Sequence, residues 1–185
     1  MAEIGVIIGS LRKDSWNRKL ASSLIKLAPP SLKMQIVEIG ALPLYNQDPD
    51  DEGHPHKEWT SFRETMQKID GVLFVTPEYN RSVPAPLKNA IDVGSRPYGK
   101  SIWSKKPCAV ISASPGAIGG FGANHHLRQS LVFLDMPCMQ QPEAYIGDLY
   151  HLFDEHQNIA KKETQDFLQH FMVSYANWVA TILSR

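Results

Sequence analysis

The chain has 185 residues, of which 43% are hydrophobic and 21% charged, as is typical of a globular domain and not of a disordered, fibrous or membrane protein. Its 19 basic residues balance 19 acidic ones, so the net charge is zero. The chain therefore lacks the excess positive charge that is typical of proteins that bind nucleic acid. A chain of this length predicts a single domain, residues 1–185, which buries about 70% of the surface that its extended form would expose.

The N-terminal apolar run, residues 4–8, is too short for a signal peptide and has no basic residue before it. No later apolar stretch approaches the roughly 20 residues of a membrane span. Cys108 and Cys138 each lie in an apolar run, which predicts buried, reduced thiols, with a disulfide or redox pair as the alternative. We therefore expect a soluble, cytoplasmic protein with neither a membrane nor a nucleic-acid partner.

Five short apolar runs predict β-strands. The first, residues 4–8, is continuously apolar, which is typical of a strand buried on both faces. The others are predicted at residues 33–38, 72–75 and 108–111, and from residues 136–139 onward.

Helical patterns separate these runs. From Ser15 to Leu27, apolar residues follow helical spacing until Pro29 and Pro30 stop the pattern. The same spacing predicts helices over residues 59–69, 84–94, 123–134 and 167–183. Residues 41–56 are rich in proline and acidic side chains and are predicted to form an exposed loop.

The alternation of buried strands and helices predicts a parallel sheet covered on both faces. In such sheets, ligands bind beyond the carboxyl ends of the strands, near the point where the strand order reverses. Three polar loops leave carboxyl ends here, at residues 9–17, 76–82 and 112–120. Their convergence predicts a ligand site.

The first loop suits a single phosphate. A dinucleotide fingerprint needs several glycines, whereas this turn has only Gly9. A terminal monophosphate needs many short donors and a cation. The loop supplies these through Ser10, Arg12, Ser15 and Asn17. Ordinary helix capping by Asp14 or Ser15 is the alternative.

The second and third loops offer different chemistry. Pro77 stiffens the second loop, and Tyr79 adds an aromatic face, a combination that suits a flat heteroaromatic cofactor. A plain loop with an exposed Tyr79 explains the same residues equally well. The third loop contains Ser114 and Gly116, and its glycines allow a ligand to approach the backbone. Taken alone, this third loop favours a bare turn.

Several other motifs carry little weight. Residues 94–101 match the Walker A pattern, but the segment follows a predicted helix and leads into a strand, so no helix N-terminus would hold the phosphates. The pairs His54/His56 and His125/His126 lack metal-ligand spacing, and we predict no metal site.

Three segments carry a family resemblance: Gly-Ser-Leu-Arg-Lys-Asp-Ser-Trp-Asn at residues 9–17, Thr-Pro-Glu-Tyr-Asn-Arg-Ser-Val-Pro at 76–84, and Leu-Lys-Asn-Ala-Ile-Asp at 87–92. Together they resemble the NADPH-dependent FMN reductase family over nearly the whole chain. His-Leu-Arg-Gln at 126–129 and Pro-Glu at 142–143 are similar to its bacterial chromate and quinone reductase branch.

The resemblance implies an α/β, flavodoxin-like three-layer sandwich with a five-stranded parallel sheet of order 2-1-3-4-5. It also implies bound FMN, NADPH or NADH as electron donor, and a homodimer or homotetramer. The implied reaction is ping-pong hydride transfer to small-molecule acceptors: quinones, flavins, azo compounds or metal oxyanions such as chromate. A flavodoxin-type electron carrier reduced by a protein partner is the alternative, although such carriers are usually strongly acidic for docking.

The resemblance also implies residue roles. The phosphate would be held by Ser10, Arg12, Ser15 and Asn17, with Trp16 beside it. The isoalloxazine ring would be lined by Pro77, Glu78, Tyr79 and Asn80, and approached from its other side by Ser114 and Gly116. Arg96 is expected to contact substrate or a nicotinamide phosphate. Because the flavin carries the chemistry, no catalytic acid or base is predicted.

Overall fold

The computed structural model describes residues 1–184 and is built on five parallel β-strands. The strands are β1 (Ala2–Ile8), β2 (Leu32–Val37), β3 (Gly71–Thr76), β4 (Cys108–Ala113) and β5 (Ala144–Ile146). Their order in the sheet is β2-β1-β3-β4-β5, and every neighbouring pair is parallel. The predicted strand order is therefore confirmed.

Helices cover both faces of this sheet. They are α1 (Trp16–Leu27), α2 (Asp48–Asp51), α3 (Lys57–Gln67), α4 (Ala85–Gly94), α5 (Phe121–Phe133) and α6 (Lys162–Leu183), with a 3₁₀ turn at Leu149–His151. Helices α1 and α6 pack on one face, and α3, α4 and α5 pack on the other. This arrangement confirms the three-layer flavodoxin-like fold.

The strand residues explain why these runs are continuously apolar. Within β1, Val6 belongs to the core beneath α1 and α6, whereas its neighbour Ile7 belongs to the core beneath α3, α4 and α5. Successive side chains of a strand point to opposite faces, so a sheet covered on both sides needs apolar residues at every position. Both side chains are fully buried.

The fifth strand is predicted to begin at residues 136–139, and this start is wrong in position. Only Cys138 pairs there, in an isolated parallel bridge with Cys108. The regular strand, β5, begins at Ala144, opposite Ile111. Between the two pieces lies Pro142, which has no N–H to give to the ladder and so favours a break in the edge strand.

The prediction of an exposed loop over residues 41–56 is also incomplete, because the segment contains the short helix α2. Pro49 lies in its first turn, where proline is tolerated, and the acidic residues there suit the positive end of the helix dipole. The Asp50 carboxylate is buried against the Arg63 guanidinium, with contacts of 2.8 and 2.7 Å. This segment is therefore anchored to α3. No helix within residues 1–184 is long and apolar enough to cross a membrane.

Candidate active site

The three polar loops meet in one cleft at the carboxyl ends of β1, β3 and β4. Because β2 lies on one side of β1 and β3 on the other, the cleft lies at the point where the strand order reverses, the usual ligand position in such sheets. Its volume is about 120 Å³, roughly ten times what one water molecule requires. It is lined by Ser10, Arg12, Ser15, Trp16, Asn17, Pro77, Glu78, Tyr79, Ala113, Ser114, Pro115 and Leu149.

The loops after β1 and β3 approach each other closely at Gly9. Its amide donates a hydrogen bond to the carbonyl of Val75 at 2.9 Å. A Cβ atom at Gly9 would lie 2.9 Å from Thr76 Oγ1 and 3.2 Å from Pro77 Cδ. Glycine is therefore required here because a side chain would push the two loops apart.

Ser15 is the N-cap of α1. Its Oγ accepts a hydrogen bond from the amide of Arg18 at 3.2 Å. The capping interpretation of this loop is thus correct for Ser15. It leaves the hydroxyl hydrogen of Ser15 available as a donor to a ligand. The first turn of α1 contains no acidic residue, so the helix N-terminus and its dipole favour an anion in the cleft.

Asn17 leaves one polar atom unpaired in the cleft. The residue is only 4% exposed, and its Nδ2 donates to the carbonyl of Ala113 at 3.4 Å. Its Oδ1 is buried and has no hydrogen-bond partner within residues 1–184. Leaving a buried acceptor unsatisfied costs about 1–3 kcal/mol, so this oxygen points to a ligand that brings a donor.

The loop after β3 is built on a tight turn. Tyr79 and Ser82 exchange backbone hydrogen bonds of 3.1 and 3.0 Å. Asn80 and Arg81 between them have φ values of 50° and 64°, as in a type I′ turn. This turn leaves Tyr79 45% exposed at the cleft, while Asn80 lies at the turn and outside the cleft lining.

The Glu78 carboxylate is hydrogen-bonded to the first turn of α5. Its Oε2 accepts from the amide of Ala123 at 3.0 Å, and its Oε1 accepts from Arg81 Nη1 at 3.3 Å. A Cβ atom at Gly122 would lie 2.7 Å from the carbonyl of Arg81, so glycine lets the loop settle on the helix. With the carboxylate held in this way, the main chain of Glu78 is what remains to contact a ligand.

Residues after β5 complete the cleft, and sequence reasoning missed them. Leu149 lines it, and the ring of Trp16 stacks on Phe153 with centroids 5.8 Å apart. Tyr150 packs edge-on against Trp16 at 6.3 Å. The predicted fifth strand starts too early in the chain, so the sequence does not indicate that residues after β5 reach the cleft. The local pattern that marks the end of β5 is Ala-Tyr-Ile at 144–146 followed by Gly-Asp, a typical turn sequence.

Two further predicted residues lie outside the cleft lining. Gly116 accepts a hydrogen bond at its carbonyl from Ser114 Oγ at 3.3 Å, but does not itself line the cleft. Arg96 lies in a separate groove of about 510 Å³ between α4 and α5, together with Lys88 and Phe133. The structure therefore does not bring Arg96 to the predicted cofactor loops.

The Walker-like segment, residues 94–101, does not open a helix and therefore lacks the structural setting of a phosphate-binding loop. Gly94 is the last residue of α4, and the chain from there reaches β4 at Cys108 without starting a helix. Within residues 1–184, no group of three or more metal-ligating side chains comes together.

Comparison with known proteins decides the family. A model of the NADPH-dependent FMN reductase family matches residues 2–150. The chain belongs to the NADPH-dependent FMN reductase family. FMN is accordingly the cofactor of this reductase, and NAD(P)H is its electron donor.

Individual relatives of this FMN reductase cover it almost end to end. A quinone reductase of Pseudomonas putida is 63% identical over 176 residues, 95% of this chain and 94% of the relative. A 2-hydroxy-1,4-benzoquinone reductase of Burkholderia sp. is 47% identical over 96% of each chain. Among solved structures, the flavoenzyme NAD(P)H:(acceptor) oxidoreductase FerB of Paracoccus denitrificans superposes with a TM-score of 0.90 at 38% identity, covering 98% of each chain.

The cleft of this FMN reductase fits the phosphorylated chain of FMN. A ribityl hydroxyl can supply the donor that Asn17 Oδ1 lacks, and the phosphate can accept from nearby hydroxyl groups and the α1 N-terminus. Arg12 is exposed at the cleft and forms no ion pair within residues 1–184. Its guanidinium is therefore free to bind the phosphate.

Proposed function

We propose that this chain, a single FMN-binding domain over residues 1–185, reduces quinones with electrons from NAD(P)H. The observation that carries the proposal is the meeting of an anion-binding loop and an aromatic loop in one cleft at the sheet's reversal point. The relatives named quinone reductases support the acceptor class. When bound, FMN supplies two-electron transfer between nicotinamide and acceptor.

The phosphate end of the site is assigned to the β1 loop. The hydroxyls of Ser10 and Ser15 would donate to phosphate oxygens, and the Arg12 guanidinium would neutralise their charge. The sequence predicts that Asn17 holds the phosphate, but its unpaired atom Oδ1 is an acceptor. We therefore assign Asn17 to the ribityl chain, from which Oδ1 would accept a hydrogen bond. Trp16, held between its aromatic neighbours and Lys19, whose Nζ lies 4.6 Å from the ring centroid, keeps the start of α1 in position.

The ring end of the site is assigned to the β3 and β4 loops. Pro77 and the main chain of Glu78 form a rigid edge, and the exposed ring of Tyr79 gives an apolar surface for a flat acceptor. Ser114 completes the lining from β4. Asn80 and Gly116 act by shaping these loops, Asn80 through its positive φ.

The electron donor, NAD(P)H, and the electron acceptor, a quinone, are assigned to the same cleft and enter it one after the other. Because the three loops surround one cleft, we assign a double-displacement order in which NADP⁺ leaves before the quinone enters. The exposed aromatic side accepts any flat molecule that can stack on it, so flavins and azo compounds are assigned as further acceptors. Metal oxyanions such as chromate are assigned because the cleft is open to solvent and electron transfer from the reduced flavin needs no specific acid or base.

Initial rates of NADPH oxidation test this function. With FMN-loaded protein, rates measured against benzoquinone at several fixed NADPH concentrations should give parallel double-reciprocal lines. Intersecting lines would overturn the order of binding, and an absence of quinone-dependent oxidation would overturn the function. Oxidation only when an acceptor protein is added would identify an electron carrier instead.

We also propose that the protein is a homodimer or homotetramer of the cytoplasm. On α5, Phe133 is 90% exposed beside the groove between α4 and α5, and its neighbour Val132 is 76% exposed; adjacent exposed apolar side chains favour a protein contact. The free thiols suit a reducing compartment. Light scattering during gel filtration should give the mass of two or four chains, and Phe133→Asp should lower it. A monomeric parent protein would contradict the assignment.

A further inference from the structure

Two cysteines face each other across neighbouring strands. Cys138 pairs with Cys108 in parallel register, with Cys108 N donating to the Pro137 carbonyl at 3.0 Å and Met139 N donating to the Cys108 carbonyl at 2.8 Å. Neighbouring strands lie about 4.8 Å apart, within the roughly 4.4–6.8 Å between the Cα atoms of disulfide-bonded cysteines. Both thiols are free and contact the same core.

The two thiols have different surroundings. Cys108 is fully buried, whereas Cys138 is half-buried and lies 3.4 Å from Arg128 Nη1. The same nitrogen donates to the Met139 carbonyl at 2.9 Å, and Arg128 Nε donates to Asn124 Oδ1 at 2.8 Å. These oxygens are neutral, and no carboxylate pairs with Arg128 within residues 1–184. A Cys138 thiolate is therefore the anion that this cation can neutralise.

The protonation behaviour of the pair agrees with this geometry. A hydrogen bond from the Cys108 thiol and the charge of Arg128 lower the pKa of Cys138, against the effect of burial. Burial raises the pKa of Cys108 well above its usual value. Since the thiolate is the nucleophile, Cys138 is the more reactive of the two.

We propose that Cys138 is a peroxide-reactive thiol and that Cys108 is its resolving partner, so that oxidation closes the pair to a disulfide. The Cys138 thiolate attacks hydrogen peroxide, the O–O bond breaks, one oxygen leaves as water after protonation, and Cys138 becomes a sulfenic acid. The Cys108 sulfur then attacks Cys138, the S–O bond breaks, and the departing hydroxyl takes the Cys108 proton as a second water. Two thiols and one peroxide thus give one disulfide and two waters.

This site is separate from the flavin cleft. Cys108 is the first residue of β4, whereas the cleft lies at the opposite end of that strand, at Ala113. The proposal therefore does not depend on the assigned acceptor. A dithiol reductant returns the pair to its reduced form.

Mass spectrometry of the FMN-loaded protein tests the proposal. Before oxidation, iodoacetamide should alkylate Cys138 at least about tenfold faster than Cys108, because Cys138 has the lower pKa and is the less buried of the two thiols. After treatment with hydrogen peroxide, peptides containing the two cysteines should be cross-linked, and dithiothreitol should separate them. Oxidised Cys138 with Cys108 still free, or no reaction at either thiol, would overturn the pairing.

Variants separate the two steps. Cys108→Ser should accumulate a sulfenic acid at Cys138 that dimedone traps, whereas Cys138→Ser should show neither product. Arg128→Gln should slow the alkylation of Cys138, while Arg18→Gln, which removes an arginine paired with Glu38 elsewhere, should leave the rate unchanged. Equal alkylation rates in these two arginine variants, each confirmed as folded by circular dichroism, would contradict the role of Arg128.

Discussion

The Glu78 carboxylate accepts a hydrogen bond from the backbone amide of Ala123 at 3.0 Å and so ties the loop after β3 to the first turn of α5. This bond satisfies an N–H group that the helix itself leaves unpaired, and it places a negative charge at the positive end of the helix. One residue thus couples the shape of the loop after β3 to the stability of a helix.

Replacing Glu78 should affect both properties. Glu78→Ala should lower the free energy of unfolding by about 1 kcal/mol, as expected for the loss of a helix cap, and should raise the KM for quinone because the loop loses its tether. Glu78→Gln keeps an acceptor oxygen, so its free energy of unfolding and its KM for quinone should stay close to those of the parent protein. Urea denaturation and steady-state kinetics measure the two effects. An unchanged KM in the alanine variant would show that the tether does not position the loop.

Removing the charge of Arg12 should weaken FMN binding. A charge-assisted hydrogen bond contributes about 1.5–3 kcal/mol, so Arg12→Ala should raise the FMN dissociation constant roughly 10- to 150-fold. Lys13→Ala is the matched control, because Lys13 is also exposed and adjacent but does not line the cleft. Fluorescence titration of the apo proteins measures both constants. Equal affinities in the two variants would contradict the phosphate assignment.

Asn17 separates ligand binding from folding. Asn17→Leu removes a buried unpaired oxygen together with a long 3.4 Å bond to Ala113, so the stability of the apo protein should change by less than about 1 kcal/mol. The FMN dissociation constant should nevertheless rise about tenfold, since the ribityl chain loses its acceptor. Chemical denaturation of the apo protein measures the change in stability, and titration with FMN measures the change in the dissociation constant. A large loss of apo stability with unchanged FMN affinity would make Asn17 purely structural.

The buried pair Asp50–Arg63 should make stability depend on pH. Hydrogen bonds from Arg63 lower the pKa of Asp50 below its ordinary value despite the opposing effect of burial. The unfolded chain therefore binds this proton first as the solution is acidified. The stabilisation is complete above about pH 4, the ordinary aspartate pKa, and is lost as the pH falls through the lower folded pKa.

An exposed pair of the same geometry provides the control for Asp50. Asp50 and Arg63 side chains are 2% and 10% exposed, whereas Glu38 and Arg18 side chains are 66% and 37% exposed. Asp50→Asn should cost about 3 kcal/mol at pH 7 because it leaves a buried charge unpaired, while Glu38→Gln should cost under about 1 kcal/mol. Denaturant midpoints between pH 3 and pH 7 measure both. Similar losses in the two variants would contradict the importance of burial.

The sequence predicted the sheet well because a strand buried on both faces leaves a continuous apolar run. Val6 and Ile7 belong to different cores, and together they make β1 recognisable. The edge strand has no such signature. It is split around Pro142, with a lone bridge at Cys138 before the regular pairing begins. The apolar run at residues 136–139 therefore does not mark the strand, and nothing in it indicates that Leu149 lines the cleft.

Local patterns also identified the polar loops but could not orient their side chains. Nothing in the sequence near Glu78 indicates that its carboxylate bonds to Ala123, 45 residues away along the chain. Likewise, the sequence predicts that Arg96 contacts substrate or a nicotinamide phosphate, but it does not indicate that Arg96 lies in the groove between α4 and α5. Contacts of this kind depend on tertiary packing.

The most direct test of the proposed function is an anaerobic pair of half-reactions followed by absorbance. The FMN-loaded protein under nitrogen should lose its flavin absorbance on addition of one equivalent of NADPH or NADH, and one equivalent of benzoquinone should restore it. A flavin band that neither nicotinamide bleaches, or a bleached band that quinone does not restore, would contradict the account.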